Sequence, residues 1–443
     1  MLRGIRLVID WGKTAHKERT KGRRGSVVAG AQKQGRVLIL VQNLSVPFDR
    51  RVWLECQSLV AAGFRVAVVC PKAPGDPTYS RLRGVDLFKY RPYAPGTSSV
   101  SYILEYAYSF IMTLGLSLRA SFRDPFVVVQ SCNPPDLFWP IGLLFRLLNG
   151  SSFVFDHHDL CPELFQSRFP DGNRFVYRIL RFMERRMART ADHVISTNES
   201  YRRIVLERDG ISPASVTVVR TGPDLASLRR STAQASVTGA RPHVAAYLGV
   251  MGPQDGVELV LEVADEVVHR LGRHDIGFTL IGSGDCYEDL VALSRRLDLT
   301  DYVTFTGRIP DADVAAILST ADVGISPDPK NPLNDVSTMN KTMEYMTFEL
   351  PVVAFDLRET RISAADAAVY ATPNDVEEMA KLLVDLIDDE PRRRSMGRAG
   401  RARIEQELAW EHQAPRYIGV YEKLAGDSSP HPADSPQPVA LTA

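Results

Sequence analysis

At 443 residues the chain is long enough for two domains with full-sized cores, since single cores stop growing at about 250–300 residues. Lys plus Arg and Asp plus Glu balance at 53 each, so no global field favours nucleic acid or an anionic surface, and any such contact needs a local patch. The five cysteines, Cys56, Cys70, Cys132, Cys161 and Cys286, stand singly and mostly in apolar runs, which argues against a disulfide framework and for a reducing compartment.

The N-terminal stretch 1–34 is basic and aperiodic and reads as a disordered arm. Its LVIDW run is too short for a signal peptide, and the most apolar stretch, 102–118, is broken by Glu105 and serines. The expectation is a cytoplasmic chain without a membrane span. From Arg36 onward strands and helices alternate. VLILVQ (37–42), RVAVVC (65–70), FVVVQS (126–131), SFVFD (152–156), HVIST (193–197) and VTVVR (216–220) read as strands. Helices are expected at 51–62, 99–122, 135–148, 174–189 and 199–208.

Residues 226–242 lose apolar periodicity and read as a linker, after which the alternation restarts. HVAAYLG (243–249), GFTLIG (277–282), VTFTG (303–307), VGIS (323–326), PVVAF (351–355) and AVYA (368–371) are the second set of strands. Short apolar strands between helices predict parallel, doubly wound sheets, hence an α/β chain of two Rossmann-like domains, 35–225 and 243–410. Pro415 is expected to break the terminal helical region, with 411–425 crossing back to the first domain and 426–443 a disordered tail.

The stretch DVSTMNKTMEYMTFELPVVAFD (335–356) reads as a polar loop, a short helix at 341–348 and a buried strand. A helix start presents unpaired N–H groups and partial positive charge, so 338–342 offers donors to a phosphate and Lys341 adds a full charge. Glu344, one turn on, could accept from sugar hydroxyls. The same residues also suit an ordinary capped helix.

Gly249, Gly252 and Gly256 in YLGVMGPQDGVE form a strand-to-helix turn where backbone can approach a phosphate, though neither a P-loop nor a dinucleotide fingerprint is present. Gly282 and Gly284 sit at the next strand end, and Arg308 and Ile309 at the one after. Asp311 and Asp313 follow Pro310 and read as helix-starting residues rather than a metal pair. In FDHHDLCPELF (155–165), Asp156, His157, His158, Asp159, Cys161 and Glu163 follow a strand. Zinc is the sharp alternative there, but adjacent histidines diverge and no second ligand cluster has structural-zinc spacing, so a substrate-facing loop is expected. Further polar strand-end turns, 42–52, 130–136, 196–200 and 220–224, bring Asp49, Arg50, Asn133 and Asn198 to the same end of the first sheet.

On NKTMEYMTFELPVVAFD, YLGVMGPQDGVE, LIGSGD…VTFTGRIP and FDHHDLCPE, the chain from 36 to 424 resembles the retaining glycosyltransferases of family 4, which have the GT-B fold. The resemblance implies two Rossmann-like domains facing a cleft, the C-terminal one holding a nucleoside-diphosphate sugar as substrate and the N-terminal one an acceptor. It implies retention, with no metal and no other cofactor. Glu344 matches the family's ribose-binding glutamate, Ile309 the position whose backbone pairs with the base, and His158 with Asp159 the histidine loop near the scissile bond. Two positions depart from the pattern. Val336 stands where the family has its first glutamate, with Asp335 beside it as a substitute, and Met251 and Gln254 occupy the region of the diphosphate-binding Arg and Lys.

The expected site thus has His158, Asp159 and Lys341 as catalytic groups, Lys341 replacing the missing cations. Donor binding falls to Gly252, Gln254, Gly282, Gly284, Arg308, Ile309, Asp335, Asn340, Lys341 and Glu344, and the acceptor side to Asp49, Arg50, Asn133, Glu163 and Asn198. The partners expected are a nucleotide sugar and an unidentified acceptor, lipid-linked if the apolar stretch 102–122 touches the inner face of a membrane, and no nucleic acid. A sugar-nucleotide epimerase or hydrolase of the same fold, and a non-catalytic binding module, are the alternatives.

Overall fold

The computed structural model describes residues 35–93, 99–122, 124–231 and 241–427. The expected arm at 1–34, linker residues 232–240 and the tail from 428 lie outside the described residues. Two sheets organise the rest. The first contains β1 (Arg36–Leu40), β2 (Arg65–Pro71), β3 (Tyr79–Leu82), β4 (Val85–Tyr90), β5 (Val128–Cys132), β6 (Ser152–His157), β7 (His193–Ser196) and β8 (Val216–Val218), in the order β3-β4-β2-β1-β5-β6-β7-β8. The second contains β9 (His243–Leu248), β10 (Ile276–Ile281), β11 (Val303–Gly307), β12 (Val323–Ser326), β13 (Val352–Phe355) and β14 (Ala368–Ala371), in the order β11-β10-β9-β12-β13-β14. The alternation of the sequence is thus realised as two doubly wound sheets.

The strands β3 and β4 pair antiparallel, a hairpin the sequence reading did not mark. Arg83 and Gly84 both take positive φ between them, the backbone a two-residue hairpin turn requires. In the second sheet the strand order reverses between β9 and β12, which pair in parallel at Val323↔Ala245 and Gly324↔Ala246. Open parallel sheets bind ligands outside the carboxyl ends of the strands at such a reversal, which here means the turn after Leu248 and the loop after Ser326.

By contacts the chain divides into two units. The first takes in the chain up to Asp156, Arg186–Val194 and the chain from Tyr417, and the second takes in His157–Arg185 and Ile195–Arg416. Inside the first, a polar network is buried among the apolar side chains of the core. The Arg51 guanidinium meets Glu55 and Asp156 at 3.0 Å each, and Gln130 donates to both carboxylates at 2.8 and 3.0 Å. Tyr417 donates to the Gln130 amide oxygen at 2.6 Å, and Tyr421 reaches the same atom. The terminal helix therefore belongs to the first unit from Tyr417 onward, whereas 411–416, expected to cross back with it, stay in the second.

Pro415 does not break that helix, contrary to expectation; it lies inside Trp410–Asp427. It is the sixth residue there, and packing on either side offsets the lost ladder bond: Gln413 donates to the Glu407 carbonyl at 3.0 Å before it, and Tyr417 and Tyr421 are fully buried after it. The chain turns instead at Ala409, which is extended, and Trp410 donates its N–H to the Pro223 carbonyl at 3.0 Å. A side chain at Gly222 would collide with the Leu408 carbonyl, so close backbone packing fixes this turn.

Candidate functional site

The second unit gathers the donor-side segments nominated above. Lys341 opens the helix Asn340–Thr347 but does not project into solvent. It is 9% exposed, and its Nζ lies 2.5 Å from Asp328 Oδ1 and 5.4 Å from the centre of the Tyr247 ring. Asp328, fully enclosed after β12, also accepts from Ser326 Oγ at 2.7 Å. Asp255, across the glycine turn, feels the same ammonium. Burial lifts its carboxyl to about 6, with Lys341 pulling down and Asp328 pushing up. The cation is thus paired with the buried Asp328 carboxylate at the reversal of the second sheet, with the half-buried Asp255 close enough to feel its charge. Neither acid was singled out from the sequence, because each lies in a Pro/Gly/Asp turn that reads as a loop.

The glycines of the two turns serve close backbone packing. Gly282 has φ +132, and a side chain there would collide with the Gly249 carbonyl. A Cβ at Gly284 would fall 2.5 Å from the Met251 carbonyl. Gly252 donates its N–H to Asp255 at 3.0 Å, and Met251 is fully buried in the core, so its side chain faces away from any ligand. Gln254 is half-buried, and its Nε2 donates to Asp255 Oδ2 at 3.1 Å. Its Oε1 accepts from Arg168 Nε at 3.1 Å, and Arg168 Nη1 lies 4.0 Å from Asp285. Arg168 closes the helix Cys161–Arg168, which the sequence reading did not mark, and brings a cation to the turn where the resemblance misses one.

His158 and Asp159 are half-buried between β6 and that helix. Their neighbours hold the segment from inside. Leu160 packs with Tyr201 and Leu333, and the fully buried His157 ring stands 5.6 Å from the Tyr201 ring, its Nε2 3.5 Å from Glu184. Glu163 bonds Arg208, which also bonds Glu184. Burial and the Glu184 charge push the enclosed Asp209 up to about 6.

Asn198 caps the helix Glu199–Ile204, accepting from Tyr201 N at 2.7 Å, and donates to the Val336 carbonyl at 2.9 Å and Thr338 Oγ1 at 3.0 Å. Tyr201 Oη meets Ser337 Oγ at 2.9 Å. The side chain of Val336, at the position where the resemblance leads one to expect glutamate, packs against the Leu160 cluster. Asp335 beside it accepts from Arg358 N at 3.0 Å and stands 3.5 Å from Lys330, so its carboxylate satisfies the first N–H of the helix Arg358–Ala364. Glu344 is half-buried one turn beyond Lys341, Asn340 is exposed at the helix start, Arg308 is exposed after β11, and Ile309 packs on the core beneath it.

Three acceptor-side residues belong to the first unit. Asp49 caps the helix Arg50–Ala61, Arg50 is exposed, and buried Asn133 donates to Asp136 at 3.0 Å. The structure therefore brings Glu163, Asn198, His158 and Asp159 into one unit with the donor-side residues, and leaves Asp49, Arg50 and Asn133 in the other.

Two family profiles match the chain, one described as a glycosyl transferase 4-like domain over residues 49–222 and one as glycosyl transferases group 1 over residues 242–389. The GDP-mannose-dependent monoacylated alpha-(1-6)-phosphatidylinositol monomannoside mannosyltransferase of Corynebacterium glutamicum is 30% identical over 179 residues, 38% of this chain and 44% of that protein. The match thus spans under half the length of that relative. Among solved structures, the sucrose-phosphate synthase of Thermosynechococcus elongatus superposes with a TM-score of 0.72 at 16% identity, over 89% of this chain and 100% of that one. Anabaena HepE in complex with UDP-glucose does so with a TM-score of 0.64 at 13% identity, over 88% and 99%. At these identities the likeness is one of fold.

Proposed function

The chain belongs to the glycosyltransferases of family 4 and has their GT-B fold, and from that premise we propose that it moves a hexose from a nucleoside diphosphate to an acceptor with retention and without a metal ion. The proposal includes a lipid-linked acceptor met at the cytoplasmic face of a membrane. Among the described residues no helix is long and apolar enough to cross one. One observation carries the reading: Lys341 is enclosed beside Asp328 and Tyr247 at the reversal of a parallel sheet, at the start of a helix. Breaking a sugar–phosphate bond leaves growing negative charge on the diphosphate, and a preorganised cation at that point lowers the barrier. The diphosphate replaces Asp328 as the partner of Lys341, while Arg168, held at Gln254, supplies a second positive charge at the glycine turn. The UDP-glucose complex of HepE supports a nucleoside diphosphate as the donor's leaving part.

Thermal-shift and calorimetric titration with UDP, GDP, UMP and GMP tests the donor side, since a ligand that binds only the folded form raises its melting point. One diphosphate is expected to bind the parent chain, with Arg168→Gln weakening it by roughly tenfold, about 1.4 kcal/mol, and leaving the monophosphate nearly untouched. Equal diphosphate binding in both proteins would remove Arg168 from the site. Donor consumption with and without candidate acceptors then reads the reaction. Turnover that needs no acceptor would make the chain a hydrolase or epimerase, and no turnover with any acceptor would leave a binding module.

A further inference from the structure

The helix Arg174–Thr190 turns its apolar side outward. Its sequence, RFVYRILRFMERRMART, holds six arginines and one acid. Helical spacing aligns Phe175, Ile179 and Phe182, with Val176 beside them. These residues are 65%, 44%, 57% and 37% exposed, respectively. The opposite face holds Glu184, which is fully buried, bonded to Arg208 and 3.5 Å from His157, so the rotation of the helix is fixed by a charged anchor inside the second unit. Arg174, Arg178 and Arg185 are exposed along one flank of the phenylalanine line. With the one acid sealed inward, the outer face of 174–185 offers only apolar and cationic groups.

We infer that this face docks on an anionic lipid bilayer, with Phe175, Ile179 and Phe182 entering the boundary between headgroups and acyl chains and the flanking arginines meeting lipid phosphates. An apolar line edged by fixed positive charge matches that surface in both polarity and sign. Since the whole chain carries no net charge, the attraction comes from this patch and not from a general field. The helix Ser99–Ser121, the stretch expected to touch a membrane, also exposes Ile103 and Ile111, but its sole arginine is Arg119 and it carries Glu105. Charge selects the 174–185 face over it. The inference goes beyond the transfer reaction and does not depend on it, because binding to vesicles is read without a donor.

The test is flotation of the full chain with vesicles of phosphatidylcholine alone or mixed with phosphatidylglycerol. The parent is expected to float with the anionic vesicles only, and less at high salt. The exposed pair Phe175→Asp/Phe182→Asp should lower the partition coefficient by roughly tenfold or more, and Arg178→Glu/Arg185→Glu likewise, while Ile103→Asp/Ile111→Asp floats as the parent does. The inference is overturned by flotation that neither of the first two pairs disturbs, by equal binding to neutral vesicles, or by no flotation of the parent. It is equally overturned if removal of residues 1–34, rather than change on the helix, abolishes binding, or if sedimentation shows a dimer that the phenylalanine pair dissolves.

Discussion

Lys341 shows how much of a residue's role depends on what the fold sets against it. From spacing it reads as a cation at a helix start; in the structure it is also the counter-ion of Asp328, thirteen residues earlier, and a neighbour of Asp255. Lys341→Met therefore does more than remove a phosphate contact, since it leaves the buried Asp328 carboxylate without its cation. Breaking a buried pair costs roughly 3–5 kcal/mol, so Lys341→Met should unfold at markedly lower urea concentration, and Lys341→Met/Asp328→Asn should recover part of that loss. Turnover is expected to stay low in both, which separates the chemical role from the structural one. Recovery of activity in the double variant would mean that Lys341 served only to neutralise Asp328. The pairing was not legible in SPDPKNPLND, because it depends on β12 delivering that turn beside the helix start. Val336 was legible as a departure but not as a packing residue, since its neighbours Leu160 and Tyr201 come from far along the chain.

At the scale of elements, long apolar runs placed the strands well, whereas short or polar elements escaped. The hairpin of β3 and β4 is half exposed and carries a weak alternation, and the helix Cys161–Arg168 is hidden behind a histidine-rich loop. β7 carries a testable titration. Burial, reinforced by the charge of Lys423, depresses the imidazole of its first residue, His193, to about 4 from a usual 6.5. The folded form keeps this ring neutral while the unfolded chain takes up a proton below its own higher value. Stability from this group is thus present above about pH 6.5 and is lost as pH falls toward 4. His193→Gln should flatten the decline in melting temperature over that window, a difference of about 2–3 kcal/mol at its acid end. Parallel declines in the two proteins would show that other groups govern acid unfolding.

For the molecule as a whole, alternation and the glycine-rich strand ends were sufficient to read two doubly wound sheets, but not the division into units. Sequence order suggests a boundary near the linker and a terminal helix that crosses back from 411, yet the contacts place His157–Arg185 with the second sheet and begin the return only at Tyr417. The reasons are specific contacts across long separations: Asn198 with Thr338, Arg168 with Gln254, and Tyr417 with Gln130. Ending the chain at Ala409 removes two fully buried tyrosines from the Gln130 network. Loss of a buried aromatic side chain costs about 3–5 kcal/mol, and two together rival the whole stability of a domain, about 5–15 kcal/mol. Calorimetry of the shortened chain should lose or sharply lower the transition of the first unit while that of the second persists. An unchanged profile would mean that the network is not needed.

That same return of the terminal helix has a consequence for biogenesis. Nascent proteins ordinarily complete their earliest region while the ribosome is still extending the later one. Here the guanidinium, two carboxylates and amide around Gln130 await hydroxyls that lie 287 and 291 residues further along the chain, beyond the whole second sheet. The first sheet can therefore complete its centre only after the second has been synthesised.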